Sequence, residues 1–307
     1  MATWTGPHTH YNNYTTGTLK YDVSEAIWRI TPDDTPFYNM SGDTQATAML
    51  HEWMEEELTT RADNAAIEGA NWGSLQPPIS QERVQNRVQT LKKSVVVTRL
   101  MQRVRQWGIT DMFGSNMLKR MREWKTDCEH ALIRGSGKVT PALSTASRLD
   151  GVMWCISAGG NVVDHSGTTF AEADFNDMFQ DTWTAGGFPE DVLVGPNMKR
   201  RISGFTSAAD QSYFNVDNTK VRNTISVYES DFTTVTVHLS RDIQDGGSVN
   251  DKTCLLLTSS MFKKAWIDRP FAQRIPPPGD GMYGVILGDL TLECGARAAH
   301  GAYINAG

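Results

Sequence analysis

The sequence lacks any apolar run near the ~20 residues that a helix needs to cross a bilayer. Its apolar runs are short, such as Val95–Val97 and Cys254–Leu257. The opening stretch, MATWTGPHTHYNNYTTGT, has neither the basic start nor the apolar stretch of a signal peptide. A soluble protein with no membrane partner is expected. Cysteine is scarce, with four in 307 residues (Cys128, Cys155, Cys254, Cys294), and none falls in a CxxC pair. That spacing argues against a compact zinc module or a disulfide scaffold and favours four reduced, buried thiols in a cytoplasmic product. A zinc site built from distant cysteines stays open as the lesser alternative. A basic excess is also missing. The formal net charge is −6, which argues against a dedicated nucleic-acid binder.

Catalytic signatures are missing too. HEWMEEEL (residues 51–58) supplies His51, Glu52 and Glu55, but the zinc-peptidase helix needs a second His where Glu55 stands. The stretch also alternates like a strand. His51 and Glu55 would then lie ~13 Å apart, too far to share one ion. RGSGKV (134–139) has Leu132 and Val139 where a phosphate-binding loop needs Gly and Ser or Thr. No GxSxG nucleophile elbow occurs, and the remaining histidines are scattered. No catalytic constellation, cofactor site or metal site is expected.

What is present is an ordered series of segments. Residues 1–45 are rich in Thr, Asn, Gly and Tyr and read as an extended arm, with one short helical piece at Ser24–Arg29. Residues 46–98 read as a long hairpin. On its outgoing arm Met49, His51 and Trp53 share one side, with Leu50, Glu52 and Met54 on the other. Its tip is broken by Gly69, Gly73, Pro77 and Pro78, and its return arm runs from Arg83 to Thr98. Phe113, Met117, Met121, Trp124, Cys128 and Leu132 recur at helical spacing. They predict a helix over 110–134, about 37 Å long, capped by Thr110 and stopped at Gly135. A compact body of short strands and helices follows, with a helix at FAEADFNDMFQDTWTAGG and strands at DVLVG, TISVYES, TTVTVHLS and TCLLLTS. Near the end, Val285, Leu287, Leu290 and Leu292 flank a predicted Gly288-Asp289 turn between strands. The class is α+β.

Charge falls in two blocks. Residues 1–81 hold eleven acidic and three basic side chains, and residues 82–125 hold eleven basic and three acidic. Equal and opposite neighbouring blocks suggest complementary surfaces, within the chain or between copies.

DTPF at Asp34–Phe37, HEW at His51–Trp53 and EGA at Glu68–Ala70, together with this order of segments, resemble the major capsid proteins of tailed bacteriophages. Theirs is the Hong Kong 97-like fold, shared with herpesviruses and encapsulins. The resemblance covers the whole chain. It implies an N-arm (1–45), an extended E-loop (46–98), a P-domain with a spine helix (99–149), an A-domain (150–261) and a return to the P-domain (262–307). It further implies pentamers and hexamers that form an icosahedral shell around double-stranded DNA, with portal, scaffold and possible cement partners, in a virion assembled in the host cytoplasm. A nanocompartment shell of the same fold and, further off, a metal-dependent hydrolase are the alternatives. A long hairpin is marginal alone. Glu55, Glu56 and Glu57 are therefore expected to face either Arg83 and Arg87 on the return strand or Arg99, Arg103 and Arg105 of a neighbour, with Trp53 supplying apolar contact.

Overall fold

The structure is a computed structural model. It describes residues 34–304 apart from 60, 66, 70–72, 74–77, 105, 107, 165–169, 206–225, 244–251 and 277–278. The arm before Asp34, with its short helical piece, lies outside the described residues, as does Arg105.

In chain order the first elements are α1 (Pro36–Met40), β1 (Gly42–Gln45), β2 (Leu50–Glu56), β3 (Gln81–Arg87), β4 (Gln89–Thr98), α2 (Arg99–Arg103) and α3 (Met112–Arg134). Next come β5 (Ser136–Val139), β6 (Arg148–Asp150), α4 (Val152–Gly159), β7 (Val162–Asp164), α5 (Glu172–Thr184), β8 (Asp191–Val194) and α6 (Pro196–Gly204). The last are β9 (Val227–Glu229), β10 (Thr234–Leu239), β11 (Cys254–Leu257), β12 (Phe262–Ile275), β13 (Gly281–Cys294) and β14 (Gly301–Ile304).

Two larger sheets organise these elements. One has the order β1-β12-β13-β4, and the other β7-β14-β11-β8-β10-β9. β8 and β11 sit in the middle of the second sheet and are apolar along nearly their whole length, because both faces are covered. Leu193, Leu255 and Leu257 face a core shared with α3, α4 and the first sheet. The alternate residues Val192, Val194, Cys254 and Leu256 face α5 and α6. One continuous apolar core thus joins the two sheets.

α3 follows the predicted stripe. Phe113, Trp124, Cys128 and Leu132 are buried, and Met117 and Met121 are partly so. The helix starts two residues later than predicted, after Asp111. A distant side chain explains the shift. Gln102 accepts from the Phe113 amide (3.0 Å) and donates to Asp111 (2.7 Å), so the first turn is capped from α2.

Two strand expectations are corrected. The stretch 281–294 is one unbroken strand, with no turn at Gly288-Asp289. The glycine answers a packing need, since a Cβ there would stand 2.5 Å from the Trp124 ring. The irregularity falls on β12 instead, where the register shifts around Asp268. The return arm 83–98 is likewise two strands divided at Val88. β3 pairs with β2, and β4 pairs with β13 in the four-stranded sheet. Period-2 patterning cannot distinguish these outcomes, because both strands alternate alike.

Candidate functional site

The acidic stretch forms β2, which runs antiparallel to β3 with Trp53 opposite Val84, Met54 opposite Arg83 and Glu55 opposite Glu82. The alternation read from the sequence holds from His51 onward, where His51, Trp53 and Glu55 are half-buried and Glu52, Met54 and Glu56 are exposed.

The half-buried side chains are held by the protein's own body. His51 Nε2 lies 3.0 Å from Glu293 on β13. Trp53 packs against the main core and donates to Glu55 Oε1 at 3.4 Å. Glu55 Oε2 accepts from Arg297 Nε at 3.0 Å, and Arg297 Nη2 reaches Glu82 at 3.1 Å. Asn86 stitches the hairpin's root to the sheets. Its amide donates to the carbonyls of Asp150 (3.0 Å) and Leu292 (2.7 Å), while its oxygen accepts from the Asp150 and Arg87 amides, both at 2.8 Å. Every polar atom of that buried side chain is satisfied.

The outward face is different. Arg83 lies 3.6 Å from Glu52, and Gln81 donates to Glu56 at 2.9 Å. Met54 is 56% exposed, and Leu58 just beyond is 73% exposed. Glu57 is exposed. Arg83 and Arg87 stand opposite Met54 and Leu50, and the ion pair that Arg83 makes here is with Glu52. Arg99 meets Asp280 at 2.6 Å, and Arg103 is exposed on α2. The half-buried group that meets Glu55 is Arg297, which the sequence reading missed. It sits in an Ala- and Gly-rich stretch with no periodicity, 242 residues from its partner.

A second unforeseen arrangement brackets α1, the helix that begins inside the DTPF motif. Glu129 is fully buried on α3 and accepts from the amides of Phe37 (2.9 Å) and Tyr38 (2.6 Å). Lys264 on β12 donates to the carbonyls of Tyr38 and Ser41, both at 2.6 Å, and lies 3.3 Å from Asp43. A carboxylate at the helix start and an ammonium at its end both oppose the helix dipole. Burial pushes the Glu129 carboxyl up to about 7, against the pull of the two amides. Burial also lowers the Lys264 ammonium, partly offset by Asp43. Sequence spacing hinted only that Glu129 lies beside the stripe of Cys128 and Leu132.

A cleft of about 800 Å³ opens beside the first turns of α3. Phe113, Met117 and Leu118 line it together with Lys119, Arg122 and Arg274. Among the described residues, no three His, Cys, Asp or Glu side chains come together in a way that could hold a metal ion. No described helix is long and apolar enough to span a membrane.

A long helix on a four-stranded sheet, a second helix-covered sheet and a two-stranded hairpin define an α+β fold of the Hong Kong 97-like capsid class. The fold matches solved structures at low identity. A chain of Microbacterium phage Oxtober96 aligns with TM-score 0.65 and 12% identity, over 93% of this chain and 96% of that one. The capsid of a native GTA particle aligns with TM-score 0.64 and 10% identity, over 97% and 100%. A chain of Mycobacterium phage Adephagia aligns with TM-score 0.63 and 9% identity, over 90% and 89%. No curated protein matches. The model of the SU10 major capsid protein family matches residues 7–307, and the chain belongs to that family.

Proposed function

We propose that copies of this chain assemble into pentamers and hexamers of an icosahedral shell that encloses double-stranded DNA in a tailed phage virion, assembled in the host cytoplasm. Portal, scaffold and cement proteins are its expected companions. Family membership supports the shell role. The observation that carries the assembly mechanism is the asymmetry of the hairpin. One face is held by its own body, while the other presents acidic and apolar side chains outward.

In this reading the N-arm (1–45) and E-loop (46–98) reach neighbours, the A-domain (150–261) gathers at capsomer centres, and residues 99–149 and 262–307 form the P-domain. Glu56, Glu57, Met54 and Leu58 of one copy meet Arg99, Arg103 and Arg105 of the next, or the cleft carrying Lys119, Arg122 and Arg274. Arg83 and Arg87 flank the same surface, whereas Trp53 and Glu55 act inside the subunit. Each exposed ion pair is worth about 0–1 kcal/mol, so the pairs select register and partner more than they add strength. The mildly acidic chain, −6 overall, suits a wall that surrounds DNA without gripping it, since tight phosphate binding needs clustered Lys and Arg.

Electron microscopy of the expressed protein tests the reading. Closed icosahedral particles are expected, and particles from infected cells should hold nuclease-protected DNA. A compact monomer at every concentration, even beside its natural partners, overturns the shell. Particles filled with an enzyme and no DNA overturn the phage assignment. The loop from Arg61 to Gln81 contains no lysine, so no Lys-Asn cross-link forms there. Boiling particles in detergent should release monomers, and a covalent ladder would contradict this.

A further inference from the structure

We infer that Arg297 fixes the direction of the hairpin by neutralising two glutamates that the strand pairing sets face to face. Glu55 and Glu82 are direct partners across β2 and β3, and like charges directly opposite weaken a strand pair. Arg297 lies between them, with one nitrogen 3.0 Å from Glu55 and another 3.1 Å from Glu82. The side chains of Arg297 and Glu55 are each only 19% exposed. Neither charge is well solvated, so removing the arginine leaves a half-buried carboxylate without its cation.

The arginine is itself held rigidly. Ala296, the residue before it, sits in the left-handed region at φ 48°, a conformation that side chains other than Gly rarely adopt. A Cβ on Gly159, at the end of α4, would stand 2.4 Å from the Arg297 carbonyl oxygen, so that glycine permits a close backbone approach. Asn161 donates to the Ala298 carbonyl. His300, buried and lowered by that burial to about 4, donates from Nε2 to the Gly295 carbonyl and accepts at Nδ1 from the Thr258 amide. The turn carrying Arg297 is thus tied to the six-stranded sheet and to α4. Through it the hairpin takes its direction from the body rather than from its own two strands. Arg297 is a positioning residue. Its consequence for assembly rests on the shell reading above, but its effect on the hairpin does not.

The test compares Arg297→Met, Arg297→Lys and the triple variant Arg297→Met/Glu55→Gln/Glu82→Gln as unassembled full-length subunits, with hydrogen exchange followed by mass spectrometry. Exchange across 50–56 and 81–87 should quicken by about tenfold or more in Arg297→Met, with β11 and β13 unchanged. Arg297→Lys should fall between, because it keeps the charge and loses the fork. The triple variant should recover most of the protection, which a purely packing role would not allow. Unchanged exchange in Arg297→Met, or a triple variant as mobile as the single one, overturns the inference. In assembly assays Arg297→Met should give misshapen or open particles and the triple variant closed ones. If exchange behaves as expected while all variants form normal shells, the latch stands and the link between hairpin direction and assembly falls.

Discussion

Glu55 and Glu56 adjoin in sequence and have opposite surroundings. Glu55 is held by Arg297 and touched by Trp53, whereas Glu56 is exposed and bonded to Gln81 across the hairpin. The same division runs along β2, because successive side chains of a strand point to opposite faces. A strand lying along a body can therefore do two things at once. The odd positions His51, Trp53 and Glu55 secure it to its own subunit, and the even positions Glu52, Met54 and Glu56 face outward. The tripling of glutamates at 55–57 looks like one charged patch in sequence but is two separate features in space.

Removing the body tests that division most severely. Trp124 is fully buried, stacks on Trp266 at 6.3 Å and donates to the Leu91 carbonyl at 3.0 Å. Trp124→Ala should cost about 3–5 kcal/mol and abolish both faces together. Urea unfolding of the unassembled subunit measures it. Trp53→Ala acts on the inward face alone. Its ring is half-buried, so a loss of about 1–3 kcal/mol is expected, whereas Met54→Ala, one residue on, should stay within about 0.5 kcal/mol. Equal losses from the two would erase the distinction between the faces.

Glu129 sharpens the same contrast at a fully buried site, through pH. Its carboxyl rises from an ordinary 4.5 to about 7 on folding, so the folded state holds the proton more tightly than the unfolded chain. The stability this lends is fully present below about 4.5 and is lost as pH climbs through 7. From pH 6 to pH 8 the group should lower stability by about 1 kcal/mol. Glu129→Gln, which resembles the protonated form, should remove that decline. Parallel unfolding curves at the two pH values, at fixed ionic strength, give the difference. An identical slope in both proteins would mean that Glu129 is ionised throughout.

Much of the scaffold was legible from the amino acids, for reasons that also mark the limit. α3, α5 and the strand at 234–239 carry the local periodicity that burial on one face imposes, and the strands at 191–194 and 254–257 are the short unbroken apolar runs that burial on both faces imposes. The alternation along β2 was legible for the same reason. What stayed hidden depends on contacts between distant residues. Arg297, Asn86 and Glu129 are polar side chains whose meaning comes from partners 64 to 242 residues away. Gly288 reads as a turn until the Trp124 ring is seen lying against it. The alternation set Glu55 and Glu56 on opposite faces, but neither which of them turns inward nor which cation meets it was readable, because the register of a remote loop leaves no trace in composition.

The smallest expected effect on the fold tests the outward face most directly. Reversing Glu56 and Glu57 to Arg should change subunit stability by no more than about 0.5 kcal/mol, since both are exposed. Shell formation should nevertheless fail or slow sharply. Each lost pair is weak, but reversal replaces attraction with repulsion at every copy of the contact, and like charges set against each other discriminate more strongly than opposite ones attract. Salt should partly restore assembly of the variant while weakening that of the native protein, because screening acts on exposed charges in both directions. A second variant carrying Arg99→Glu and Arg103→Glu should also fail alone, and co-expression with the first should restore mixed particles if these residues are the neighbour's partners. Failure of that rescue, with rescue by Arg122→Glu/Arg274→Glu, would move the contact to the cleft beside α3. Normal shells from the Glu56/Glu57 reversal would show that the outward face of β2 is not an interface, and the division between odd and even positions would then describe burial without describing assembly.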